Sequence, residues 1–359
     1  MHKYLVLLII LSSFKIHAQS TEGKGEVSGG NTRDWDSTKY RKFDYVFIVG
    51  LYQQTRSFNN EFELTASKDT LGLSKHSFMA ESQLMSGVTL NYDKFSLSFG
   101  TRTSPQAESA GKGYTKTFNI GLNIGDHRYI LENYYRRFVG FYDKNTPNFD
   151  TTFKHTGQYA LRPNLTSALL MSRFMYFTNY KKYSFKSGFG CNYRQLKSAA
   201  TWILGGSFNV YNFNNDSAIF PARAQPLFNE YGGIKGFRSV DFAVNVGAAA
   251  TIVLFKAWFI GGYFTAGPEQ QWRSYNLGDH YRNISYISVS GTGRLSLGLN
   301  LKRFYMLGSY SNDYNLFNST GLNFKSESIS GNFTFGWRFH TGTPKFYKKF
   351  QQTKLYKLF

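Results

Sequence analysis

The chain has 359 residues, 42% of them hydrophobic and 18% aromatic, yet its mean hydropathy is only -0.38. So many rings exclude a disordered chain, and the lack of any apolar run of about twenty residues after the N-terminus excludes helical membrane spans. The formal charge of +20 predicts attraction to anions, but the lysines and arginines are dispersed over strand edges and turns rather than gathered in a stripe, which argues against nucleic acid.

Residues 1–20, MHKYLVLLIILSSFKIHAQS, have a basic start at Lys3, an apolar core from Tyr4 to Leu11 and a small residue at Ala18. This pattern predicts a secretory leader cleaved after Ala18. Residues 19–42 are polar and Gly-rich and are expected to form a periplasmic lead-in. Beyond them, apolar and polar residues alternate to about residue 340, and alternation places successive side chains on opposite faces of a sheet. Clear rows are Phe95, Leu97, Phe99; Phe118, Ile120, Leu122, Ile124; Phe242, Val244, Val246, Ala248, Ala250, Ile252; and Leu295, Leu297, Leu299. The last strong row is Phe333, Phe335, Trp337, Phe339, with Thr334, Gly336 and Arg338 on its reverse.

A chain rich in rings but low in mean hydropathy, with one apolar face per strand, fits an all-β fold, a transmembrane antiparallel up-and-down β-barrel of about 12–14 strands. Segmentation gives thirteen strands, one of them over 182–194. Short turns are read at 92–94, 125–127 and 179–182, and long connections at 104–114, 143–163, 212–237, 269–283 and 317–326. Single-chain bacterial barrels have even strand numbers, and a short turn at 179–182 puts the long 212–237 connection on the same rim. One assignment must therefore give way: an extra strand at 62–66, a split segment, or an inward-folding 212–237. A closed barrel also requires the final row to meet the first, so Phe333, Phe335, Trp337 and Phe339 are the candidate closing strand beside 44–54. Residues 341–359, with five lysines, read as a basic tail.

The stretches GVTLNYDKFSLSFGTR, YYRRFVGFYDKN and NYRQLKSAATWILGGSFNVYNFNNDSAIFP resemble an uncharacterised family of exported bacterial proteins, a domain of unknown function presumed to comprise outer-membrane barrels. Its markers are Tyr134, Tyr135, Gly140, Phe141 and Tyr142, then Gln195, Lys197, Ser198 and Ala199. The resemblance spans about residues 40–340. It implies a barrel fold and an outer-membrane location and carries no activity.

Chemistry is sparse. Glu132 and Arg136 are the candidate lumen-facing polar residues, and Arg137, Arg194, Lys197, Arg294 and Arg338 could share that face. His76, His127, His155, His280 and His340 have no catalytic or metal-ligating spacing and read as solvated loop or strand-end residues. Cys191, in the row Phe185, Ser187, Phe189, Cys191, Tyr193, reads as a small core hydrophobe. No catalytic, cofactor-binding or metal site is expected. The expected location is the outer membrane of a Gram-negative bacterium. Expected partners are outer-membrane lipids and lipopolysaccharide, the assembly machinery and anionic small solutes. A pore or envelope scaffold is the leading reading; a lipid-modifying enzyme and a soluble exported β-protein are the alternatives.

Overall fold

The computed structural model describes residues 34–43, 46–64, 72–103, 111–319, 321–354 and 356. The leader, its cleavage point at Ala18 and most of the lead-in lie outside the described residues, as do Asp44, Tyr45 and Phe359. In chain order the elements are β1 (Tyr40–Lys42), β2 (Val46–Leu64), β3 (Lys75–Tyr92), β4 (Phe95–Arg102), β5 (Lys116–Gly125) and β6 (Tyr129–Asp143). Short helices α1 (Thr146–Phe149) and α2 (Phe153–Thr156) precede β7 (Ala160–Phe177), α3 (Phe185–Phe189), β8 (Tyr193–Gln195) and β9 (Ala199–Asn214). A 3-10 turn at Gln225–Tyr231 leads to β10 (Gly236–Leu254), β11 (Trp258–Asn276), β12 (Tyr281–Asn300), β13 (Phe304–Ser319), β14 (Leu322–His340) and the helix α4 (Lys345–Gln351).

Among the described residues, twelve of these strands close a transmembrane antiparallel barrel, while β1 and β8 form a separate two-stranded sheet. Each wall strand presents alternate residues to opposite environments. On β10, Phe242, Val244 and Val246 are more than half exposed on the outer face, whereas Ala243 and Asn245 are buried. Outward apolar and inward polar faces let the wall sit in hydrocarbon with every backbone group paired.

The odd strand count resolves at 182–194. That segment is not a wall strand: it turns into the lumen as α3 and β8. Its two-residue row does not survive, because 185–189 is helical with Phe185, Lys186, Ser187 and Gly188 all buried; the segment packs against the inside of the wall, with Gly188 beside Gly261 and Thr251 of β11 and β10. Removing it from the wall gives an even number and puts 212–237 on the rim opposite 179–182. The connections expected at 269–283 and 317–326 are tight turns instead, because β11 to β14 run on for 16–20 residues. A membrane crossing needs only about 9–11, so these strands project beyond the apolar band. The turn after β10 has positive φ at both Phe255 (47°) and Lys256 (63°), the backbone of a hairpin matched to strand twist, though its residues are not the usual Asn-Gly.

Both described termini lie on one rim, here the near rim. Of the lead-in, residues 34–42 are ordered there: Tyr40 is fully buried, its hydroxyl bonds the Tyr180 carbonyl, and Asp34 pairs with His127 at 3.0 Å and with Arg128. The basic tail is also ordered, with α4 set against the β3–β4 turn through Tyr347 on Tyr92 and Phe350 on Phe95.

Candidate functional site in the barrel lumen

The lumen has three levels. At the far rim an aromatic cluster fills it. Phe62 of β2 lies 5.8 Å from Phe213 of β9, between strands six places apart in a ring of twelve, and 6.2 Å from Phe237 of β10. Opposite walls touch because β4 and β5 are short. Above them β3 pairs directly with β6 through Phe78–Asp143 and Met79–Tyr142, so the ring narrows to ten strands at that height, and barrel diameter falls with strand number. The 215–235 connection adds Ile219, Phe220, Phe228 and Ile234 to this cluster. Within it, His76 is fully buried, its Nδ1 2.5 Å from Asp143 Oδ2. This corrects the expectation of a solvated histidine. His127, held by Asp34 between Trp35 and Tyr180, is a second correction.

At the near rim the inward segment is held by backbone-directed polar groups. Arg338 donates to the carbonyls of Cys191 and Leu301 and, at 2.7 Å, to Asn300 Oδ1, while Asn300 Nδ2 donates to the Tyr193 carbonyl at 2.9 Å. Gln195 Nε2 donates to the carbonyls of Lys182 at 2.7 Å and Lys197 at 3.0 Å. Lys186 Nζ reaches the carbonyls of Asp93, Lys94 and Gly125, tying α3 to two hairpin turns. Burial, reinforced by the Lys42 charge, pushes the Lys186 ammonium down to about 7. Cys191 is buried as expected, although its backbone is left-handed rather than extended, and burial pushes its thiol up to about 12. On β14, Gly336 leaves room for the inward Tyr305 ring, which any Cβ there would strike.

Between these levels lies a charged layer. Glu132 of β6 faces Arg294 of β12 at 3.3 Å and Arg173 of β7 at 3.7 Å; Asp313 of β13 faces Arg173 at 3.2 Å and Arg136 at 3.5 Å. Arg173 also donates to Thr292 Oγ1 at 2.7 Å. The structure thus places Glu132 and Arg136 in one network, joined through Arg173 and Asp313 rather than to each other. Arg294 belongs to it and Arg338 to the near-rim anchor. Arg137 points outward, Lys197 is exposed, and Arg194 caps the Lys256 carbonyl at the rim. Arg173, Asp313 and Arg56 escaped sequence reading, although each sits on the inward parity of its strand. Two cavities flank the layer. An upper one of about 90 Å³ includes Asp241, Glu269 and Arg273 in its lining, and a lower one of about 210 Å³ reaches down to Phe189 and Gly190 of the inward segment.

The candidate closing residues Phe333, Phe335, Trp337 and Phe339 lie on β14, whose full-length partner is β2: Phe339 faces Phe47, Trp337 faces Val49 and Phe335 faces Leu51. The profile described as Domain of unknown function (DUF4421) matches residues 35–339, from the lead-in through this strand. The chain belongs to that family. No curated protein matches the DUF4421 chain significantly. Among solved structures it is similar to the outer membrane protease OmpT of Escherichia coli, at 7% identity and TM-score 0.39, covering 82% of this chain and 97% of that one. It is also similar to the β domain of the Bordetella autotransporter BrkA (13%, TM-score 0.35, 81% and 98%) and to an outer membrane channel of Pseudomonas putida (11%, TM-score 0.32, 88% and 100%). Nothing of their activities is carried over at such distances.

Proposed function

We propose that this DUF4421 protein resides in the outer membrane as a plugged barrel, a gated path for small polar solutes. The observation that supports this reading is a polar, cavity-bearing mid-lumen whose two ends are occupied by inward-folded connections, 178–198 and 215–235. A rigid scaffold needs no buried charged layer, and burying one is unfavourable against an apolar filling of equal volume. The two connections meet the wall through side chains and hairpin carbonyls rather than continuous ladders, so each can be displaced without breaking the barrel. The test is conductance of the intact protein in planar bilayers. Wild type should show rare, brief openings. A variant combining Lys186→Met with Phe62→Ala and a Gly-Ser replacement of residues 217–233 should conduct steadily. A heat-modifiable, folded variant that stays silent would favour the scaffold reading.

A further inference from the structure

The charged layer is unbalanced. Three arginines, at 136, 173 and 294, share two carboxylates, Glu132 and Asp313, and a fourth, Arg56, lines the same cavity as Arg136 and Arg294. Arg56 has only the Ser328 hydroxyl, at 3.3 Å, and among the described residues no carboxylate lies within ion-pair reach of it. It is 7% exposed. A guanidinium does not shed its proton to escape burial, and an uncompensated buried charge is strongly destabilising, so the surplus calls for a counter-charge from outside the chain.

The lower cavity is where that counter-charge fits. Arg56, Arg136 and Arg294 line it, and Glu132, its one carboxylate, is already engaged by Arg294 and Arg173. Three buried donors on its wall have no hydrogen-bond partner, the Tyr52 and Tyr134 hydroxyls and Arg136 Nε, with the Arg136 guanidinium stacked 3.7 Å over the Tyr134 ring. The upper cavity is the poorer host because Asp241, Glu269 and Asp313 line it. A volume of about 210 Å³ holds a tetrahedral anion with accompanying water, and guanidinium forks match oxyanions with paired hydrogen bonds. We propose that the lower cavity is a binding site for a small oxyanion of the phosphate or sulfate type, held by Arg56, Arg136 and Tyr134. The site requires only the closed barrel and stands whether or not the barrel conducts.

The test uses the full-length protein in detergent, titrated with sodium sulfate, sodium phosphate or sodium chloride at equal ionic strength. Binding is read by calorimetry and by the shift in unfolding temperature. Sulfate or phosphate should give saturable binding that chloride does not. Arg56→Gln should weaken it about tenfold or more, while Arg303→Gln, on an exposed turn, should leave it unchanged. Sulfate stabilises any folded protein by exclusion, so the decisive quantity is the difference between wild type and Arg56→Gln. Equal responses would overturn the proposal. Should Arg56→Gln fail to fold, Tyr134→Phe removes a single donor and must weaken binding; unchanged binding in Tyr134→Phe would likewise overturn it.

Discussion

Val246 and Asn245 are neighbours on β10 that face different solvents. Val246 is 61% exposed on the outer face, whereas Asn245 is 8% exposed and lines the upper cavity with Asp241 and Glu269. An arginine on a lipid face near the bilayer midplane costs about 2–4 kcal/mol, while one directed at those carboxylates gains a counter-charge. Val246→Arg should therefore reduce refolding stability in lipid by about that amount, and Asn245→Arg by much less; equal losses would refute the facial assignment. The same parity makes Glu132 and Arg136 legible as inward residues from the sequence alone. It does not show that Glu132 meets Arg294 across the lumen, 162 residues away in sequence, or faces Arg173 on the neighbouring strand, because both contacts depend on the order and register of whole strands.

At the scale of elements, the turn between β3 and β4 organises the near rim. Asp93 accepts hydrogen bonds from the hydroxyls of Tyr347 (2.9 Å) and Tyr356 and pairs with Lys42 at 3.4 Å, so it joins tail and lead-in. Burial works against its charged form, but Lys42 and the two tyrosine hydroxyls outweigh burial and hold its carboxyl below the ordinary value. A lowered carboxyl contributes stability that is complete above the ordinary carboxylate range and is lost as pH falls through the lowered value. Docking of α4 should thus be full at neutral pH and loosen only in acid. Asp93→Asn keeps the left-handed turn (φ 50°), which Asn tolerates, and removes the charge. It should weaken docking by about 1–2 kcal/mol, seen as faster amide exchange over 345–351 at neutral pH; unaltered exchange would show that the aromatic contacts alone hold the helix.

At the scale of the molecule, closure rests on the β14–β2 ladder, which runs from Leu322–Leu64 to His340–Val46. An unpaired edge in hydrocarbon leaves a row of backbone groups unsatisfied at several kcal/mol each. Full-length protein should fractionate with the outer membrane and migrate faster on gels before boiling than after. Deleting 344–359 should preserve both properties, since α4 packs outside the ring, whereas truncation after Gly331 should abolish both. Loss of assembly on the shorter deletion would mean that the tail, not β14, guides closure.

The sequence by itself determined the class of fold, the facing of the wall strands whose rows alternate clearly (β4, β5, β10, β12 and β14) and the place of closure, because a two-residue period is a local property that a membrane wall enforces strand by strand. It did not determine that 182–194 leaves the wall, since a segment packed inside a barrel needs one apolar side just as a wall strand does, and the row Phe185, Phe189, Cys191, Tyr193 satisfies either demand. Nor could it show the narrowing to ten strands that buries His76 among phenylalanines, or the gathering of three arginines around two carboxylates. Those features follow from strand lengths and registers acting together around a closed ring, and only the tertiary structure fixes them.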